Sequence, residues 1–282
     1  MTEPNTPPPR RRWLRALVLV FLALVLVGAS VVALRQPSHA RDWAPEHARL
    51  PHVTITDSLV HIEGVRHFTY ASADDFTPAY DDRTYDLRKI ERVWYVLSPF
   101  DVHWRGPAHA FLTFGFADSQ YVSISVEARR EVGETYSTWK GALRAFELIY
   151  VIGDERDLIG LRAAVWGDPV HLYPGRATPE QARALFLAML RRAQALEAEP
   201  AFYNTFTNNC TTAILDAVNG IAEEPVPYGR RVLLPGYSDE LAHEHGLLDT
   251  DLPLEEARAA FLINDRAQAA MVAPDFSTAL RR

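Results

Sequence analysis

The 282-residue chain has one cysteine, Cys210. No internal disulfide can form, so in an exported protein this residue was not kept as a staple. The chain also lacks a P-loop, a Gly-rich dinucleotide fingerprint and an HExxH zinc motif, and no internal repeat or low-complexity block follows the N-terminal tail. His243-x-His245 around Glu244 has no spaced third ligand and reads as a solvated loop. No metal and no cofactor are therefore expected. Positive charge is scarce as well. Beyond residue 35 there are 24 basic against 35 acidic residues, a net charge of −11. That balance excludes a nucleic-acid partner and a polybasic hold on anionic lipid.

What is present begins with the N-terminus. Met1 to Arg12 is Pro-rich and closes on Arg10-Arg11-Arg12, and Ala16 to Leu34 then runs without a charge. A helix needs roughly 20 apolar residues to cross a bilayer. The arginines fall mostly before the run, which keeps the N-terminus cytoplasmic. The expected division is a cytoplasmic tail at 1–13, a transmembrane signal anchor at 14–35, a linker at 36–51 and an exported domain at 52–282. Ser38-His39-Ala40 supplies the competing reading, a cleaved signal peptide.

Period-two patterns mark strands at 53–55, 59–62, 65–70 and 90–97, with a tight turn at Gly64. Residues 71–86 read as an acidic loop. The apolar run Phe146–Ile152 is a further strand, ended by a charged turn at Asp154-Glu155-Arg156-Asp157, and Val170–Tyr173 is another. Trp94, Trp104 and Trp139 are read as core or cleft walls. Thr178-Pro179-Glu180-Gln181 is a capping box with proline at N1, opening an amphipathic helix that ends at Pro200. A weak helix is expected at 253–261. Strands followed by helices define an α+β class.

Cys210 lies in Tyr203-Asn204-Thr205-Phe206-Thr207-Asn208-Asn209-Cys210-Thr211-Thr212, ahead of a short helix closed by Gly220 as a C′ residue. Asn208 or Asn209 is its N-cap and a candidate oxyanion donor. A cysteine in that first turn sits where the helix dipole favours the thiolate; the plain alternative is a small buried apolar residue. A nucleophilic thiol needs a base and a group to orient it. Ala108–Phe116 and Tyr121–Glu127 form the clearest hairpin. Ala110, Leu112, Phe114 and Phe116 must share a face with Val122, Ile124 and Val126, so paired positions sum to an even number. His109, Thr113, Ser123, Ser125 and Glu127 then share the other face, with Glu127 opposite or diagonal to His109. Cys210 as nucleophile, His109 as base and Glu127 as orienter follow. Against that, His109 could be an edge-strand surface residue, and Glu127 a solvated partner of Arg129 or Arg130.

The stretches GPAHAFLTFGFADSQYVSISVEARREVGETYS, ELIYVIGDERDLIGLRA and FYNTFTNNCTTAI, with Asp42-Trp43, VRHFTY at 65–70 and LPGYSDELA at 234–242, resemble the Lnb N-terminal periplasmic domain family. That family is similar to circularly permuted papain-like thiol enzymes of the lecithin:retinol acyltransferase group, in which the histidine strand precedes the cysteine helix. The resemblance implies an antiparallel sheet packed on helices, with Cys210, His109 and Glu127 catalytic. With the expected signal anchor, it gives a single-pass protein of the bacterial inner membrane with its C-terminal domain in the periplasm. It further implies an acyl-thioester acyltransferase or hydrolase whose substrates are a phospholipid and a lipoprotein amine. The enzyme for which the family is named carries transmembrane segments after its periplasmic domain, and here no apolar run of that length follows Leu34. A cell-wall amidase or peptidase with the same three residues, and a non-catalytic envelope binding module, are the rival expectations.

Overall fold

The computed structural model describes residues 9–101 and 103–282, with side chains from Trp13 onward. Of the expected cytoplasmic tail, residues 1–8 lie outside the described residues. Helix α1 (Pro9–Leu34) contains the apolar span Trp13–Leu34, of mean hydropathy 3.1. Its 26 residues rise about 39 Å, enough to cross a hydrocarbon core of about 30 Å. Residues Ser38–Arg282 form the second unit.

In that unit the strands are β1 (His52–Thr56), β2 (Leu59–Arg66), β3 (Thr69–Tyr70), β4 (Phe76–Thr77), β5 (Tyr80–Asp86), β6 (Ile90–Pro99), β7 (Ala108–Phe116), β8 (Tyr121–Arg129), β9 (Glu147–Gly153) and β10 (His171–Pro174). Among the described residues the main sheet has eight strands, ordered β1-β2-β9-β8-β7-β6-β10 with β5 also on β2, and β3 and β4 form a separate ribbon. All main-sheet ladders are antiparallel except β2 with β9, which meet in parallel at Arg66 and Gly153.

The β7–β8 register has the even parity that the two apolar sets require: Phe111 faces Ser125, Leu112 faces Ile124 and Thr113 faces Ser123. A turn at Ala117-Asp118-Ser119 closes it, with Ser119 in the left-handed region at φ 60°. Ala110, Leu112, Phe114, Val122 and Ile124 then build one core with α4 (Pro179–Ala198) and α5 (Cys210–Asn219). Phe114 packs on Phe186 with ring centroids 4.9 Å apart, and truncating such a phenylalanine to alanine costs about 3–5 kcal/mol. The other face, with Trp94, Val96, Phe111 and Val151, packs against α3 (Glu155–Gly160), α9 (Asn264–Ala270) and α10 (Phe276–Leu280). Because both faces are covered, all seven residues of β9 are buried, which is why Leu148–Ile152 reads as an unbroken apolar run. The remaining helices are α2 (Thr138–Ala142), α6 (Arg230–Leu233), α7 (Ser238–Glu244) and α8 (Leu254–Phe261). The architecture is α+β.

Several expectations are corrected. Gly64 is not a turn: β2 runs straight through it with φ 80°, at an irregularity in the β2–β5 ladder. Residues 71–86 are not simply a loop, since β5 pairs along β2. Asp154 to Asp157 is not a solvated turn. Asp154 caps α3, and Glu155 and Asp157 are buried against Arg281 and Arg66. Gly220 ends α5 in the right-handed region at φ −68°, not as a left-handed C′ residue. Trp94 is buried, but Trp104 and Trp139 are exposed. The expected linker at 36–51 is, from Ser38, part of the folded unit. Ala44 N–H donates to the Arg130 carbonyl at 2.9 Å and Val132 N–H to that of Asp42 at 2.8 Å. Arg129 stacks on Trp43, 4.0 Å from the ring centroid, and its guanidinium donates to the carbonyls of His47 and Ala48.

Candidate active site

Cys210 is the first residue of α5, and Asn209 is its N-cap. The Asn209 side chain accepts from Thr212 N–H at 3.0 Å while Asn209 N–H donates to Thr212 Oγ1 at 2.8 Å, a reciprocal capping box. The Asn209 amide also donates to the Thr205 carbonyl, and that of Asn208 to the Phe202 carbonyl. Both side chains thus hold the loop rather than stand free as oxyanion donors. The cysteine is 4% exposed and packs with the α4–α5 core. Burial raises its thiol pKa above the ordinary value. The backbone N–H of Ala110, the hydroxyl and N–H of Thr211 and the charge of Arg162 oppose this without cancelling it. The expectation of a resting thiolate is therefore reversed: desolvation outweighs the helix dipole.

His109 stands on β7, between β6 and β8, so it is not an edge residue. Its Nε2 is 2.6 Å from Ser125 Oγ, which donates to Glu127 Oε1 at 2.7 Å. Glu127 Oε2 lies 3.2 Å from His47 Nε2, and His47 Nδ1 accepts from Arg130 N–H at 3.1 Å. These bonds fix the tautomers. The single Ser125 proton goes to Glu127, so His109 must carry its proton on Nε2, and Nδ1 keeps the free lone pair. His47, accepting at Nδ1, donates from Nε2 to Glu127. Burial, reinforced by Arg162, lowers the His109 pKa to about 3 against the pull of Glu127, so the ring is neutral. For Glu127, burial works to raise the pKa, but the His47 bond and the Arg162 charge hold the carboxyl well below its ordinary range.

The structure brings His109 and Glu127 together through Ser125, with 3.7 Å between His109 Nε2 and Glu127 Oε1. It places Cys210 against the backbone of Ala110, one residue from His109, on the side of the sheet that carries α5. Among the described residues no hydrogen bond joins the thiol to the His109 ring. The expected pairing of Glu127 with Arg129 or Arg130 does not form, because Arg129 is spent on backbone carbonyls and Arg130 on Glu46 at 2.7 Å. Ser125 and His47 are the residues that sequence reasoning did not assign. Ser125 was signalled by sharing a face with His109 and Glu127. His47 lies in a segment whose composition looked like a spacer.

Beside Thr211 a cavity of about 160 Å³ opens between α4, α5 and α7, walled by residues such as Leu112, Leu185, Ile214, Leu215, Val218 and Leu241. Its walls are mostly apolar, with Tyr95 among them. Tyr95 OH is held by Ser238 at 2.5 Å. The described residues contain no cluster of three metal-ligating side chains.

Fold and site together define an α+β domain in which a capped cysteine helix lies against a strand that carries a relayed histidine. The profile of the Lnb N-terminal periplasmic domain matches residues 76–236, and the chain belongs to that family. A family of periplasmic domains and an apolar N-terminal helix fit a single-pass membrane anchor. No curated protein and no solved structure matches the chain.

Proposed function

We propose that this is an inner-membrane-anchored, periplasmic cysteine acyltransferase or hydrolase that works through an acyl-thioester, on a circularly permuted papain-like arrangement. The observation that carries the reading is the apolar cavity that begins one residue from Cys210. A cavity of about 150 Å³ lined by aliphatic side chains accepts a benzene-sized guest, so this one has room for about six carbons of an alkyl chain. A polar muropeptide has no comparable counterpart there.

The chemistry starts from a neutral thiol and a neutral imidazole, so proton transfer accompanies attack rather than preceding it. The Cys210 sulfur bonds to the ester carbonyl carbon of a phospholipid as its proton passes to His109 Nδ1. The resting structure has no direct bond between the two, so a bridging water or a rotation of the ring completes the path. The Ser125–Glu127–His47 relay holds Nε2–H and stabilises the imidazolium that forms. The Cys210 backbone N–H, at the N-terminus of α5, faces the developing oxyanion. Collapse breaks the ester C–O bond, and His109 returns the proton to the leaving lysolipid oxygen. An amine, such as a lipoprotein N-terminus, or water then attacks the thioester, with His109 again taking the proton, and the thiol is regenerated.

Intact-mass analysis of Cys210 after incubation with phospholipid tests this. A fatty-acyl adduct is expected on the wild type and on no Cys210→Ser protein, and it should form more slowly in His109→Ala. Muropeptide cleavage without an adduct would overturn the proposal in favour of a cell-wall amidase. The burial of the thiol favours one other reading, a non-catalytic binding module, which full biological activity of Cys210→Ser would establish.

A further inference from the structure

The geometry points to Arg162 as the anchor of a binding site for a monoanionic phosphodiester, in the cavity on the His109 face of the sheet. Residues Leu161–Trp166 leave α3 as a π-helical turn, a rare geometry that recurs at functional sites. Asn264 holds that turn open, its amide donating to the carbonyls of Ala163 and Asp168 at 3.0 and 2.7 Å. The turn puts Arg162 on a cavity of about 60 Å³ shared with Arg66, Arg130, His47, Ser125 and Glu127.

The other two arginines there each have a close carboxylate partner. Arg66 binds Asp157 through two bonds of 2.9 Å, and Arg130 binds Glu46. Arg162 has a side chain 11% exposed, and among the described residues its guanidinium makes no hydrogen bond. Its nearest carboxylate oxygen, on Asp168, is 4.0 Å away, and the Trp166 ring covers it at 5.0 Å. Burial accordingly lowers its pKa. A half-buried guanidinium with five donors and no hydrogen-bonded partner is costly to keep, and a ligand with two oxygens in one plane satisfies its fork. With the carboxylates of Glu127 and Asp168 already nearby, a singly charged ligand fits beside Arg162 better than a doubly charged one. A phosphodiester has two non-bridging oxygens and one charge.

The site does not rest on the thioester reading, since binding is measured without turnover. Arg162 also acts electrostatically on both His109 and Cys210.

The full-length protein in neutral detergent is titrated calorimetrically with glycerophosphoglycerol, and separately with mixed micelles containing phosphatidylglycerol. Binding is expected in at least one arm, weakened ten-fold or more in Arg162→Met. Binding of the soluble diester identifies a free small-molecule source; binding confined to the lipid arm identifies a headgroup. In phosphate-free buffer Arg162→Met should keep a cooperative thermal unfolding transition, which separates loss of binding from loss of fold. Should Arg162→Met not fold, Arg162→Lys keeps the charge without the fork and is expected to fold and lose the same ten-fold. Equal binding by wild type and variant, or binding in neither arm, overturns the proposal. An absent acyl adduct on Cys210 with phosphodiester binding intact would instead fault the thioester chemistry alone.

Discussion

Acidification should weaken this domain through its buried neutral histidines. His109 is held at a pKa of about 3, by burial and then Arg162, and His171 at about 4, by burial and then Arg105. An unfolded imidazole titrates near 6.5. Because both folded values lie below it, the unfolded chain binds more protons between those values and about pH 6.5, and stability rises with pH across that window. Going from about pH 7 to about pH 4.5 should cost roughly 2–3 kcal/mol per histidine, so about 5 kcal/mol for the pair. Domains are typically stable by about 5–15 kcal/mol, so this is a large share of the whole. Glu127 works in a lower window: its carboxyl is depressed, so its contribution is present at neutral pH and is lost only as pH falls below the ordinary carboxylate range. Urea unfolding of the full-length protein at the two pH values, for wild type, His109→Gln and His171→Gln, measures the effect. Each substitution should remove about half of the acid loss. A wild-type loss below about 1 kcal/mol, or a His109→Gln protein with the wild-type slope, would refute the neutral-imidazole assignment.

Three further outcomes follow. Iodoacetamide labelling of Cys210 should rise with pH with a midpoint above the ordinary thiol value, since burial raises the pKa; a midpoint near neutrality would mean that the thiolate is preformed after all. Ser125→Ala should slow acyl-adduct formation by about 100-fold by uncoupling His109 from Glu127, and an unchanged rate in a single-turnover mass assay would show that the relay is not used. Asp157→Ala should cost about 3–5 kcal/mol in urea unfolding, because Arg66 loses its buried partner; a cost below about 1 kcal/mol would show that water already reaches the pair.

The hairpin was readable because period-two patterning constrains it twice: two apolar sets on one core leave a single parity, and that parity put His109, Ser125 and Glu127 on one face. The capped helix was readable for a similar local reason, since Asn208 and Asn209, either one a good N-cap, stand directly before its first turn. What escaped were contacts set by tertiary packing. Nothing local in Pro45-Glu46-His47 announces that His47 reaches Glu127, 80 positions away. Glu155 and Asp157 look like a solvated turn until Arg281 and Arg66 arrive from distant segments. The helix-dipole argument for a thiolate was correct in sign, but burial, which no local pattern reveals, outweighed it.

The π turn shows where the working unit begins and ends. The family profile covers residues 76–236, yet β1, β2 and His47 come before that block, and Asn264, which keeps the turn open, and Arg281, which pairs with Glu155, come after it. A fragment cut to the matched residues would keep Cys210, His109 and Glu127 in sequence while losing the parts that aim them. It would be expected to express as an unstable, inert protein, and its inactivity would say nothing about the chemistry. Biochemical work on this chain needs Ser38 to Arg282 intact.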